Sequence, residues 1–228
     1  MAHLILHYAP DNASLIVRLA LEELGLSYRA VLVDRAVKAQ EGAAYRALNP
    51  VGLIPVLEAP DGPVFETAAI LLWLSEKMPD VLAPQAGSAG RGDLLKWLFF
   101  LSNTVHSGLR MSFYPEKYVG SGKAAQSALR EMVQGKLAQD LALLETAWSA
   151  GQMPLLLDFY LGPLLRWCAL YPLGGTGWFD LGRYPALGSM VHALEERACV
   201  RAAVMAEGLG ERPFSRPTHA VPPEGSAT

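Results

Sequence analysis

Cysteine is scarce in this chain. Its 228 residues hold two, Cys168 and Cys199, and no Cys-x-x-Cys pair. Two thiols cannot make a disulfide framework, so both are expected to be reduced and structural, in a cytoplasmic protein with no metal. An excess of charge of one sign is also missing. Nineteen Lys and Arg stand against 22 Asp and Glu, a net charge of −3. No basic stripe suggests nucleic acid, and the acidity is too mild to suggest an acidic partner surface. Long apolar runs are absent: "MPLLLDFYLGPLL" is interrupted by Asp158 and Pro163 and is too short to span a membrane. The opening "MAHLILHYAPDN" lacks a basic leader followed by a long apolar core, so no signal peptide is expected. There is no internal repeat and no low-complexity tract. What remains is 51% hydrophobic and 18% charged, a folded chain long enough for two small domains.

The first 80 residues alternate strand and helix signals. "HLILHY" (His3–Tyr8) is a short apolar run ended by Pro10-Asp11 and reads as a buried strand. "NASLIVRLALEELG" reads as a helix that Asn12 or Ser14 can cap and Gly25 can stop. "SYRAVLVD" is a second strand, and "KAQEGAAYRALNP" a shorter helix ended by Asn49-Pro50. "IPVLE" and "GPVF" flank the turn "APDG", and "TAAILLWLSEKM" is a third helix, capped by Thr67. The order β-α-β-α-β-β-α predicts a parallel pair with a right-handed crossover, then an antiparallel hairpin, hence a mixed four-stranded sheet. "PDVLAPQAGSAGRGD" (Pro79–Asp93) has linker composition. Beyond it the text is helical. "LLKWLFFLSNTVHSGLRM" sets Leu94, Leu98, Leu101, Val105 and Leu109 on one face and Asn103, His106, Ser107 and Arg110 on the other. "AAQSALREMVQGKLAQDLALLETAW", "LDFYLGPLLRWCALYP" and "YPALGSMVHALEERACVRAAVMAEG" each predict a further helix. The tail "RPFSRPTHAVPPEGSAT" is Pro-rich and expected to be loosely ordered. The expected division is 1–80, a linker over 81–92, a helical domain over 93–209, and the tail over 210–228.

The stretch "NPVGLIPVLEAPDGPVFETAAILLWL" combines two unusual placements. Proline has no N–H to give a sheet, so Pro55 belongs at the first residue of its strand. Its predecessor Ile54 then offers strand backbone to an extended peptide, and an X-Pro bond can be cis at modest cost. Glu66 can hold an ammonium. Thr67 and the N–H groups of the helix it starts can hold a carboxylate. Together they suit an α-amino-acid head group, with backbone pairing nearby for the rest of a short peptide.

With the later "GWFDLGRYPAL" and "RAAVMAEGL", this stretch resembles the cytosolic glutathione S-transferases over roughly residues 3–209, nearest the bacterial beta class. The resemblance implies a thioredoxin-like N-terminal domain, an all-helical C-terminal domain, and glutathione bound between them as co-substrate. It implies that Pro55 is cis, that Ile54 pairs with the cysteinyl backbone, and that Glu66 and Thr67 grip the γ-glutamyl end. Asn103 and His106 match helix residues that contact glutathione, and Lys38 falls near a lysine that meets its glycyl end. The beta-class Lys that follows the His is Ser107 here. A homodimer and a detoxifying role come with the family.

The catalytic position is less direct, because the family lowers the thiol pKa to make the nucleophilic thiolate. The segment "HYAPDNASLIVR" puts Ala13 where the beta class has its reactive Cys, with Ser14 beside it, which argues against mixed-disulfide chemistry. Another register sets the hydroxyl position near Asp11 or Asn12. The thiolate donor is therefore Ser14, which we favour, or Asn12, or backbone amides alone. Asp158 matches the Asp of a capping box whose Ser or Thr is Leu155 here, so that helix start needs other caps. Aromatics such as Phe113, Tyr114 and Trp167 could line a pocket for a hydrophobic electrophile. Reduction of a hydroperoxide suits the same site, and a non-catalytic glutathione-binding scaffold is the alternative.

Overall fold

The computed structural model describes residues 4–227. His3, expected to open the first strand, lies outside them. Strands β1 (Leu4–Tyr8), β2 (Tyr28–Leu32), β3 (Val56–Ala59) and β4 (Gly62–Phe65) form one sheet in the order β2-β1-β3-β4. β1 and β2 are parallel, Leu4 opposite Tyr28, because α1 (Ser14–Glu23) carries the chain back between them. β3 and β4 are antiparallel around the Pro60-Asp61 turn, Ala59 opposite Gly62. Between β2 and β3 sits the short α2 (Ala43–Arg46), and α3 (Thr67–Ser75) follows β4.

The rest is helical. α4 (Arg91–Phe100) runs through a π-helical turn, Leu101–His106, into α5 (Ser107–Phe113). Leu94, Leu98, Leu101, Val105 and Leu109 are fully buried along this rod, as their spacing predicts. The wider turn falls where Asn103 and His106 reach a cleft, the common setting of π-bulges. Then come α6 (Glu116–Val119), α7 (Lys123–Ser149), α8 (Leu155–Leu170), α9 (Pro185–Glu195) and α10 (Ala198–Glu207). One hydrophobic core joins sheet and helices: Leu6, Leu15 and Leu19 belong to the same cluster as Leu161, Leu164 and Ala203. α1 is buried continuously from Ser14 to Leu21.

Two expectations about this part of the chain fail, each for a long-range reason, and a third, that the start of α8 needs caps other than Asp158, is met. The single helix read over 184–208 is two, because Arg197 is extended (φ −79°, ψ 145°) and its guanidinium pairs with Glu23 at the end of α1. Asp158 caps nothing; it accepts from the Trp148 indole N–H at 2.8 Å, and the Leu156 N–H at the start of α8 donates instead to the Leu82 carbonyl at 2.9 Å. The tail is not loose. Phe214 is buried, and the N–H groups of Phe214 and Ser215 each donate to Glu195 Oε1 at 2.8 Å. The Val221 N–H donates to the Gly208 carbonyl at 2.9 Å, and the Tyr8 hydroxyl donates to Glu224. Proline-rich composition removes helices, but its carbonyls still accept, and buried donors order the chain.

The main such donor is Arg166. It is fully buried and holds the Leu209, Pro213 and Thr218 carbonyls at 3.1, 3.0 and 2.8 Å, while Nε and Nη2 donate to the Asp11 carboxylate at 2.8 and 2.9 Å. Removing one partner of a buried pair strands the other charge. Arg166→Ala is expected to lower unfolding stability by about 3–5 kcal/mol in urea titration, and adding Asp11→Asn should recover part of that loss. Equal stability of Arg166→Ala and wild type would show that the pair holds nothing together.

Asp158 gives a pH-dependent test. Burial raises its pKa to about 6, with the Trp148 hydrogen bond opposing. Between the unfolded value near 4 and about 6 the folded state binds more protons, so stability falls as pH rises through that window. Asp158→Asn keeps an acceptor for Trp148 and removes the buried charge. It is expected to gain about 1–2 kcal/mol at pH 7 and nothing at pH 4, by thermal unfolding at both pH values.

Candidate active site

A cleft of about 490 Å³ opens between the sheet and the helices. One wall is the turn after β1. Asp11 takes a left-handed backbone there (φ 51°), unusual for a residue with a Cβ. Its carboxylate is saturated: Oδ1 accepts from Arg166 Nε and Trp167 Nε1, both at 2.8 Å, and Oδ2 from Arg166 Nη2 and the Tyr171 hydroxyl, both at 2.9 Å. Its N–H donates to buried Glu207 at 2.9 Å. Asp11 therefore shapes the turn, and Asn12 follows it into the cleft. Asn12 Oδ1 accepts from the Ala13 N–H at 2.7 Å, which leaves its amide NH2 as a donor; no side chain caps α1.

The second wall is the loop leading into β3. Buried Asn49 organises it: Nδ2 donates to the Leu53 carbonyl at 2.7 Å and Oδ1 accepts from Val51 N–H at 3.0 Å. Ile54-Pro55 is cis, and Pro55 immediately precedes the strand. The third wall is the start of α3. Glu66 has φ 70°, a strained backbone for a non-glycine residue at the mouth of a helix. The helix begins at Thr67 and no side chain caps it, Thr67 included, so its leading N–H groups are free of side-chain acceptors.

The fourth wall is the π-turn and α8. His106 Nδ1 lies 3.1 Å from the Tyr160 hydroxyl, and its ring is 5.6 Å from that of Trp167. Burial, with help from the Arg110 cation, pushes the imidazole down to about 4. Tyr160 moves the other way, raised above the ordinary phenol range by burial and by the charge of Glu66. At neutral pH the pair is a neutral imidazole and a protonated phenol.

Seven of the nine residues expected at the site line this cleft: Asn12, Ile54, Pro55, Glu66, Thr67, Asn103 and His106. Ser14 does not. It is fully buried, and its hydroxyl donates to the Ala9 carbonyl at 3.0 Å and accepts from the Ala9 N–H at 3.2 Å. Lys38 does not either; it is exposed in a left-handed turn, while Arg35, on the same connection, faces the cleft and donates to the Tyr114 hydroxyl at 3.1 Å. Gln40 was also missed. It lines the cleft with a buried Oε1 that has no hydrogen-bond partner, an open acceptor for an N–H of a bound peptide. No local pattern marks Arg35 or Gln40, because both lie in an irregular connection. Neither cysteine lines the cleft, and burial raises both thiols, so the chain brings no thiolate of its own. Groups of three or more potential metal ligands are absent among the described residues.

A thioredoxin-like sheet domain followed by helices, with a cis-proline and an acidic helix start facing one cleft, defines the class that takes peptide thiols between its two parts. Residues 13–77 match the glutathione S-transferase N-terminal domain. The chain is 31% identical to glutathione S-transferase GstA of Escherichia coli O157:H7, covering 90% of this chain and 98% of that one. A sphingomonad glutathione S-transferase solved with glutathione superposes with a TM-score of 0.75 at 32% identity, over 90% of this chain and all of the other. The beta-class enzyme of Sphingomonas chungbukensis gives 0.72 at 31%, over 90% and 98%. The chain belongs to the glutathione S-transferase family, with the transferase chemistry and the glutathione co-substrate that define it. The open acceptor of Gln40 and the uncapped start of α3 fit the amide and carboxylate groups of that tripeptide.

The electrostatics make a direct expectation. His106 stays neutral down to about pH 5, so its ring resonances are unmoved in an NMR titration from pH 8 to 5.5. A midpoint near the ordinary value of about 6.5 would mean that the ring is solvated.

Proposed function

We propose that this chain ionises the glutathione thiol beside Asn12 and His106 and transfers the sulfur to an aromatic electrophile resting against Phe113, Tyr114 and Trp167. The observation that carries this reading is the Asn12 side chain. Its oxygen is occupied by the Ala13 N–H, so its amino group is the donor left at the uncapped start of α1. It shares a cleft with Ile54-Pro55 and Glu66-Thr67. The γ-glutamyl ammonium meets Glu66, and the carboxylate meets Thr67 and the start of α3. Ile54 pairs with the cysteinyl backbone, and Asn103 adds a contact from the helical side. Arg35 replaces Lys38 at the glycyl carboxylate.

Three effects favour the thiolate: the Asn12 donor, the positive end of α1, and His106. With the Tyr160 hydroxyl donating to Nδ1, the neutral imidazole carries its proton on Nε2, a further donor. The proton released by the thiol goes to solvent. Ser14, with its hydroxyl fully engaged, drops out. We place the boundary between the two domains in residues 81–92. A cytoplasmic homodimer with a detoxifying role accompanies the reading; Val51 and Leu53, 56% and 37% exposed beside the cleft, are the apolar surface a second copy would cover.

The test is calorimetric titration of glutathione, with thiolate absorbance followed against pH. Wild type is expected to bind, Glu66→Ala to bind at least tenfold more weakly, and the bound thiol to ionise below about pH 7.5 rather than near 8.5. Asn12→Ala should raise that midpoint by about 1 unit, a lost hydrogen bond to an anion, while Ser14→Ala leaves it in place. Binding without ionisation would make the protein a glutathione-reading scaffold. No binding at millimolar glutathione would remove the transferase reading.

A further inference from the structure

One side of the cleft holds positive charge that no carboxylate among the described residues pairs with. Arg35, Arg110 and Lys117 line it, and among the described residues none of them forms an ion pair with a carboxylate. The acids sharing the cleft are placed elsewhere. Asp11 is held by Arg166, Trp167 and Tyr171. Glu66 stands at the start of α3, and Glu41 lies beside Arg46, whose Nε donates to its carbonyl at 3.1 Å. Aromatic side chains organise the cations. Arg35 donates to the Tyr114 hydroxyl at 3.1 Å, and Lys117 Nζ is 4.7 Å from the centre of that ring. Arg110 donates to the Tyr118 hydroxyl at 3.1 Å through one of its N–H groups, and its charge reaches His106. Like charges gathered without a counter-ion are relieved by an anionic ligand. With Arg35 taken by the glycyl carboxylate, Arg110 and Lys117 remain for a second anion.

We propose that the electrophile is an aromatic compound bearing a carboxylate, its anion held by Arg110 and Lys117 and its ring against Phe113 and Tyr114. The proposal replaces a simply hydrophobic acceptor and rests on the glutathione reading above. The chemistry is aromatic substitution. The thiolate sulfur forms a C–S bond at the halogen-bearing ring carbon, the carbon–halogen bond breaks, and halide leaves with its electron pair. No oxidant or reductant takes part.

The experiment compares kcat/KM for 4-chloro-3,5-dinitrobenzoate and 1-chloro-2,4-dinitrobenzene, each divided by its uncatalysed rate with glutathione. The anion is expected to be preferred about tenfold, as a charge-assisted contact allows, and Arg110→Gln or Lys117→Gln each to cut that ratio several-fold. Added salt should shrink the preference. A ratio near one in wild type, or one that neither variant changes, overturns the proposal. A second measurement needs no turnover: calorimetry of unreactive 3,5-dinitrobenzoate and 1,3-dinitrobenzene without glutathione. Tighter binding of the anion, lost in the double variant, supports the proposal even if glutathione itself fails to bind. Equal binding of the two overturns it.

Discussion

Arg166 and Asp11 meet where water does not reach; their exposures are 0% and 1%. A guanidinium has five N–H groups, and here every one has a partner: two on the Asp11 carboxylate and three on backbone carbonyls of the C-terminal stretch. A buried ion pair of this kind is close to neutral in free energy against an apolar replacement of the same shape, so its value is geometric. One side chain on α8 fixes the turn after β1, the end of α10, and the tail. The turn is left-handed at Asp11 because four donors surround its carboxylate, and that twist delivers Asn12 to the cleft.

A second ionic layer supports the first. Arg18 on α1 pairs with Glu207 at the end of α10 at 2.7 Å, both buried, and Glu207 also accepts the Asp11 N–H. Burial raises the Glu207 pKa to about 7, and Arg18 opposes that rise. Arg18 also stacks 4.6 Å from the Tyr8 ring, whose hydroxyl reaches Glu224 of the tail. Arg197 and Glu23 join the C-terminal end of α1 to the break before α10. α1 is thus clamped at its middle and at its C-terminal end by charges from the helical part. A cleft whose walls belong to two layers needs such clamps, since a small shift between them would change its geometry.

The same burial decides the charge inside the cleft. His106 is kept neutral and Tyr160 protonated. Positive charge in the cleft then comes from the arginine and lysine side chains that line it. On the reading proposed above, an ionised thiol would meet neutral donors and a helix start on one side and cations on the other, a field that favours an anion.

Local patterns in the sequence determined a good deal. Apolar runs and the Pro-Asp-Gly turn set the strand order, Pro55 marked the start of β3, and Glu66-Thr67 marked the start of α3. The 3.6-residue period placed Asn103 and His106 opposite the buried leucines. Each of these depends on neighbours within about one turn, which the sequence lists directly. The turn after β1 ties the Ser14 hydroxyl to the Ala9 backbone and leaves Asn12 lining the cleft, a local geometry that residue types alone do not give. Tertiary structure alone put Arg35 and not Lys38 in the cleft wall, broke the last helix at Arg197, and ordered the proline-rich tail around Arg166. The helix break and the ordered tail turn on hydrogen-bond partners that arrive from 47 to 174 residues away, as Arg166 does for Pro213 and Arg197 does for Glu23. A polar side chain's residue type sets what it can bond to, and only the folded chain decides which partner is there.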